Sequence, residues 1–244
     1  MLKPKFLKPS HLTYMDFSKF EEQAGVSFKD KSLLKQAFTH RSYINENRGE
    51  AREHNERLEF LGDAVLELVI TDYLYLKLKD SSEGELTSLR SALVNADTCS
   101  RVAQTLGAND YLFLSKGEAK DTTGRARQYI LANTLEAIIG AIYMDQEYEA
   151  AKDFILKHFS PLAEEIIKAG AWIDAKSLFQ EKAQEFVGQT PLYKTLRESG
   201  PDHDKHFVVG VYVGSDKYGE GDGKSKQDAE QEAAKNALSN KGWE

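Results

Sequence analysis

The stretch from Asn55 to Ile70 reads Asn-Glu-Arg-Leu-Glu-Phe-Leu-Gly-Asp-Ala-Val-Leu-Glu-Leu-Val-Ile and constrains the chain more than any other segment. Asn55 is a favourable N-cap and Glu56 suits the positive end of a helix dipole, so the spacing predicts a helix from here to about Leu78. At about 100° per residue, Glu56, Glu59 and Asp63 fall within an arc of about 60°. Leu58, Phe60, Leu61, Val65, Leu66, Leu68, Val69 and Ile70 occupy most of the remaining circumference, so the helix is expected to be largely buried. The residues alone leave two readings open. One is the line where a core helix meets water, with Glu67 at its edge. The other starts from the repulsion of crowded carboxylates, which is relieved by a proton or a cation, and hard oxygen ligands at that density suit Mg²⁺.

With 244 residues the chain is long enough for two modest domains, each with its own core. The single cysteine, Cys99, excludes an internal disulfide framework and fits a reducing compartment, the cytoplasm. No run of about 18 apolar residues is present, so no membrane span is expected. Residues 1–16 carry Lys3, Lys5 and Lys8 without an apolar stretch and read as a tail rather than a secretory signal. The net charge of -7 argues against a global electrostatic field for polyphosphates, and neither half, divided at Trp172, is basic.

Periodicity predicts a short helix around Phe17, Phe20 and Ala24 and a second from Ser32 to Tyr43. A polar loop follows from Asn45 to His54. Ser82 and Glu85 form a capping-box pattern ahead of Leu86, Leu89 and Leu93. Asp97 to Leu106 reads as helix ended by Gly107, and Asn109 to Thr123 as loop. From Arg125 to about Met144 an almost wholly apolar helix carries Glu136, three positions after Asn133 and on the same face. A glutamate in such surroundings is costly unless a cation pairs with it. Tyr148 to Lys168 supplies another helical stretch that Pro161 is expected to interrupt or restart. Ala169-Gly170-Ala171 is the linker candidate. Beyond it come a helix from Asp174 to Val187, strands over Tyr193–Glu198, His206–Val213 and Lys217–Glu220, and an Ala-rich helix from Ser225 to Leu238.

Glu56-Arg57-Leu58-Glu59-Phe60-Leu61-Gly62-Asp63-Ala64-Val65-Leu66 resembles the signature of the ribonuclease III family, Mg²⁺-dependent endonucleases of double-stranded RNA. Ile130-Leu131-Ala132-Asn133-Thr134-Leu135-Glu136 resembles the family's second acidic motif, with Asn133 where an aspartate is usual. Residues from Asp174 onward, in α-β-β-β-α order, resemble the double-stranded RNA-binding domain. The fold implied is an all-helical endonuclease domain over residues 17–168, a linker at 169–172 and the RNA-binding domain over 173–244.

The resemblance implies catalytic roles for Asp63 and Glu136. Glu59, Asp63, Asn133 and Glu136 would hold Mg²⁺, with Mn²⁺ as a substitute, and Glu56 and Glu83 would serve an outer shell or second metal. It also implies a homodimer with Phe60 at the contact, and products ending in 5′-phosphate and 3′-hydroxyl with short 3′ overhangs, made in rRNA or mRNA processing. Ser177, Gln180, Glu181 and Gln184 share one helix face suited to a minor groove and its 2′-hydroxyls. His203 would enter a neighbouring groove, and Lys224, Ser225 and Lys226 would meet phosphates at a helix start. Asn133 motivates a rival reading, a catalytically impaired duplex-binding relative. A third reading, a helical phosphohydrolase of small nucleotides, leaves the second half without a task.

Overall fold

Three short helices, α1 (Ser18–Ala24), α2 (Lys31–Ala37) and α3 (Arg41–Glu46), surround an aromatic knot in which Phe20 meets Phe38 edge-on, ring centroids 4.9 Å apart. The structure, a computed structural model, describes residues 15–47, 53–169, 175–201 and 205–243. The single helix expected from Ser32 to Tyr43 is broken, because Phe38 to His40 straightens to meet two distant partners. Phe113 N–H donates to Phe38 O at 2.9 Å, His40 N–H donates to Phe113 O at 3.0 Å, and Asn55 N–H donates to Thr39 O at 2.9 Å. Those bonds replace the intrahelical ones that the sequence periodicity favours.

The acidic helix α4 spans Glu56–Lys77. Asn55 precedes it but does not cap it with its side chain: its own backbone is already helical, at φ -78° and ψ -16°, and its side chain is buried. His54 Nδ1 instead accepts from Glu56 N–H at 3.4 Å. The expectation of a largely buried α4 also fails on one side. Leu58, Leu66, Val69, Ile70 and Leu74 are buried, whereas Phe60, Leu68, Tyr75 and Leu76 are exposed.

Helix α5 (Glu83–Val94) opens with the predicted Ser82–Glu85 capping box, and α6 (Ala96–Thr105) closes before Gly107 at φ 67°. The expected loop after it contains two short 3-10 turns, Ala108–Tyr111 and Glu118–Lys120. Helix α7 runs Arg125–Ala169, with one break at Glu147, where φ 68° and ψ -171° lie in a region that suits glycine. The break falls between the two expected stretches, Arg125 to about Met144 and Tyr148 to Lys168, whereas Pro161, expected to interrupt the second, sits inside the helical run. The reason lies just before Glu147. The Asp145 carboxylate accepts from Lys29 N–H and Asp30 N–H, both at 2.8 Å, and the Gln146 amide donates to Ser27 O at 3.1 Å.

Helices α4 and α7 meet backbone to backbone. A Cβ placed on Gly62 would lie 1.7 Å from Glu136 O, and one on Gly140 would lie 2.1 Å from Leu58 O. Only hydrogen fits at either position. The acids of α4 are thereby brought against those of α7.

The chain divides into two compact units, Met1–Ala171 and Trp172–Glu244. The second contains α8 (Ala175–Val187), an antiparallel sheet in the order β1 (Leu192–Ser199), β2 (His206–Val213), β3 (Asp216–Gly223), and α9 (Lys226–Lys241). Phe179 and Ala183 of α8, Val211 and Val213 of β2, and Ala233, Ala234 and Ala237 of α9 form its core. The alanines let α9 lie directly on β3, close enough that a Cβ on Gly221 would sit 2.2 Å from Ala233 N. The proposed linker residues Gly170, Ala171 and Trp172 lie outside the described residues.

Two stability outcomes follow from this packing. Gly62→Ala should destabilise the first unit by about 1–3 kcal/mol in urea unfolding, while Gly84→Ala, with nothing closer than Ser82 Oγ at 4.0 Å, should not. An equal response at both positions would contradict the helix contact. Glu147→Gly should raise stability by about 1 kcal/mol, since the exposed side chain is exchanged for relief of backbone strain; a loss would show the break to be unstrained.

Candidate functional site

The Gly62–Gly140 contact sets the geometry of the acidic centre. Glu59 precedes Gly62 by three residues and Asp63 follows it, while Glu136 precedes Gly140 by four, each about one helical turn or less from the crossing. Asp63 is exposed, and Glu59, Asn133 and Glu136 are half-buried. Burial pushes the Glu136 carboxyl up to about 8, and the negative charges of Asp63 and Glu59 push in the same direction. Glu59 is also raised, first by burial, then by Glu56. A hydrogen bond from Asn133 opposes the shift, Asp63 adds to it and His54 opposes it.

The remaining acids stand apart. Glu56 is exposed, with Arg41 at 3.6 Å and His54 Nδ1 at 3.8 Å, neighbours that the sequence reading did not single out. Glu83 is exposed in the first turn of α5 and is not among the charges acting on Glu59 or Glu136. Among the described residues no three His, Cys, Asp or Glu side chains stand in a ready-made metal-holding group. The acids are near enough to raise one another's pKa without being drawn in around a common point.

Cys99 is fully buried and lies within the field of Glu136 and Asp63. Burial, then those two carboxylates, push its thiol up, so the group stays a neutral apolar neighbour of the acids. No spacing rule connects Cys99 to either acidic motif, and only the packed fold reveals it.

Phe60 points away from this core and is 81% exposed. It edges a hollow of about 570 Å³ whose apolar walls are Leu33, Leu58, Leu61 and Met144. In the second unit, Ser177, Gln180, Glu181 and Gln184 line one shallow depression on α8 together with Glu185. Lys224 and Lys226 are exposed or nearly so at the start of α9. The Ser225 hydroxyl between them accepts from Asp228 N–H at 3.1 Å, so it serves first as the helix cap. His203 lies outside the described residues.

The raised Glu136 carboxyl gives a pH dependence with a definite sign. Folded protein holds this proton to about pH 8, whereas the unfolded chain releases it near the ordinary glutamate value. The folded state therefore binds more protons between those limits, and metal-free stability should fall as pH rises from about 4.5 to about 8. Glu136→Gln should flatten that slope in urea melts performed in EDTA. A slope identical in both proteins would show that Glu136 is not strained by its neighbours.

Comparison with known proteins agrees with this arrangement. A family model described as Ribonuclease-III-like matches residues 30–162, and one described as Double-stranded RNA binding motif matches residues 175–241. A protein named Ribonuclease 3 from Protochlamydia amoebophila is 51% identical over 219 residues, covering 90% of this chain and 89% of its own. Ribonuclease 3 from Oceanobacillus iheyensis is 45% identical over 227 residues, covering 92% and 97%. Among solved structures, the nuclease domain of ribonuclease III from Campylobacter jejuni is 40% identical with a TM-score of 0.53, covering 59% of this chain and 99% of that one; it is described as flexible in a region involved in dimer formation. With the family model spanning most of the first unit and relatives of this identity along nine tenths of its length, the chain belongs to the ribonuclease III family.

Proposed function

We propose that this protein is an endoribonuclease that hydrolyses double-stranded RNA with a hard divalent cation, Mg²⁺ or Mn²⁺ in its place. The observation that carries the reading is that Glu59 and Asp63 on one helix lie near enough to Glu136 on another to raise its carboxyl pKa. Like charges in a partly buried site call for a counter-ion, and an all-oxygen donor set suits a hard one. Glu59, Asp63 and Glu136 would hold it, with the Asn133 amide beside them and Glu56 and Glu83 farther out. When bound, the cation supplies Lewis acidity to the phosphodiester and offsets the charge that develops on it.

The residues divide the remaining work. Asp63, the exposed acid, meets the RNA strand, while the half-buried Glu59 and Glu136 lie behind it. Arg41 and His54 hold Glu56 at the rim. Hydrolysis forms a bond from water oxygen to phosphorus and breaks the bond to the 3′ oxygen, leaving a 5′-phosphate and a 3′-hydroxyl. The second unit supplies duplex recognition through Ser177, Gln180, Glu181 and Gln184, short polar groups suited to 2′-hydroxyls, and through Lys224 and Lys226 on phosphates. The uncovered Phe60, Leu68 and Met144 are where a second copy would dock, making two acidic centres for the two strands and giving the short 3′ overhangs.

Processing of rRNA or mRNA in the cytoplasm is the setting that such chemistry fits, and no helix among the described residues is long and apolar enough to cross a membrane. An inert duplex-binding relative is disfavoured by likeness to proteins named as ribonucleases along nine tenths of the chain.

The test uses the full chain, end-labelled duplex RNA and Mg²⁺ or EDTA. Cleavage should require the cation, and Asp63→Asn or Glu136→Gln should each lower kcat by roughly 10²–10⁴ while duplex binding in EDTA stays within about twofold. Cleavage by either variant at the unaltered rate would overturn the assignment.

A further inference from the structure

The sheet of the second unit carries its helices on one face. Phe207, Val209, Val211 and Val213 of β2 enter the cores built with α8 and α9. Strand alternation therefore turns Val208, Gly210 and Tyr212 to the other face. A Cβ on Gly210 would meet Leu196 Cδ1 and Tyr212 Cε2, both at 3.1 Å, so these two side chains close over it. Leu196 is nonetheless 44% exposed, and Leu192, paired with Tyr212, is 56% exposed. The result is an apolar strip on the side of the sheet away from α8 and α9.

The charges beside that strip are sorted by strand. On β1, Lys194 pairs with Gly210 and Arg197 with Val208, while on β3, Glu220 pairs with Gly210 and Asp222 with Val208. Lys194 thus stands level with Glu220, and Arg197 with Asp222, on opposite sides of β2. Two strand spacings, about 9–10 Å, hold each cation away from the acid at its own level. Lys194 lies over the Tyr212 ring instead, at 4.8 Å. Glu220 is met by Lys217 through Oε2, and Asp222 Oδ2 lies 4.0 Å from His206, which leaves the second oxygen of each carboxylate to accept. A hollow of about 350 Å³ opens among Arg197, Val208, Glu220 and Asp222.

A two-fold axis parallel to β2, in front of this face, carries β1 of one chain over β3 of its copy and leaves levels along the strands unchanged. Arg197 of each chain then faces Asp222 of the other, and Lys194 faces Glu220. Val208 and Tyr212 lie along the axis and meet their own counterparts, as a self-complementary contact requires. We propose that this outer face is a docking surface for a second copy of the same sheet, separate from the uncovered side of α4. A copy is the partner certain to carry both charges in the matching register. The RNA-facing residues proposed on α8 and at the start of α9 belong to the helical side and stay open.

The experiment uses the full chain with one reactive thiol near the axis, Val208→Cys, and a short bismaleimide cross-linker, the native Cys99 being buried. Lys235→Cys, exposed on α9, is the control. Val208→Cys should give covalent pairs in yield several-fold above Lys235→Cys at equal protein concentration. Adding Leu196→Asp, Arg197→Asp or Asp222→Arg should each lower that yield several-fold. Arg197→Asp and Asp222→Arg together should restore it, because the exchange rebuilds the same pairs in reverse. Melting curves in EDTA check that each variant is folded. Equal yields from Val208→Cys and Lys235→Cys would overturn the proposal and leave the face to a different protein. A double exchange as low in yield as its single members would also overturn it.

Discussion

The close approach of α4 and α7 at Gly62 and Gly140 is the constraint on which the acidic centre depends. Packed helices ordinarily keep their axes about 8–10 Å apart because side chains stand between them. Here a carbonyl of each helix occupies the space where the other would place a Cβ. Each glycine costs about 1 kcal/mol of helix propensity relative to alanine. That loss is offset by direct backbone contact, and the geometry gained is specific. With the glycines at the crossing, the acids a turn away on either helix have one direction in which to face.

A crossing point alone leaves two helices free to slide or pivot, and the first unit restrains both through one short stretch of chain. Residues 27–40 accept or donate main-chain hydrogen bonds at the start of α4, through Asn55 N–H on Thr39 O, and at the end of the first part of α7, through Asp145 on the amides of Lys29 and Asp30. The same stretch is held from a third side by Phe113. The strained Glu147 backbone follows directly after this anchor, where α7 must leave its first axis. Strain at Glu147 and order at the acids are therefore parts of one arrangement: a helix end fixed by Asp145 and Gln146 turns at the next residue whichever side chain is there.

What could be read from sequence divides along the range of the interactions involved. The Ser82–Glu85 box and the Gly107 stop are decided within four residues, and each stands where the pattern puts it. The straightening at Thr39 and the uncapped Asn55 are decided by partners far along the chain, which periodicity does not contain. Pro161 shows the converse error, a strong local breaker overridden by a helix already held along its length. The exposed side of α4 was illegible for another reason: an apolar stripe looks the same whether its cover comes from its own chain or from another molecule. For the acids, helical spacing placed Glu59 beside Asp63 and Asn133 beside Glu136, but nothing in that spacing joined the two pairs. The signal that does join them was present as the two glycines set in otherwise apolar helices. Cys99 had no such signal.

The acidity of the chain, awkward for a protein of polyanions, is easier to understand once the second unit is built. Electrostatic attraction is long-ranged and indifferent to sequence or shape, and a net charge of -7 forgoes it. What α8 presents instead is a shallow surface of hydroxyl, amide and carboxylate groups, of which the hydroxyl and the amides act only at hydrogen-bond range. Groups of that kind distinguish a duplex lined with 2′-hydroxyls from one without them, which cations facing phosphates do not. Lys224 and Lys226, flanking a serine already engaged as a cap, would then add attraction at one point rather than across a face. The first unit would follow the same economy of charge, since its acids repel a bare phosphate and would attract one only with a divalent ion between. Selectivity for duplex RNA over other polyanions would come from this weak general attraction, because a strongly basic surface would hold every nucleic acid it met.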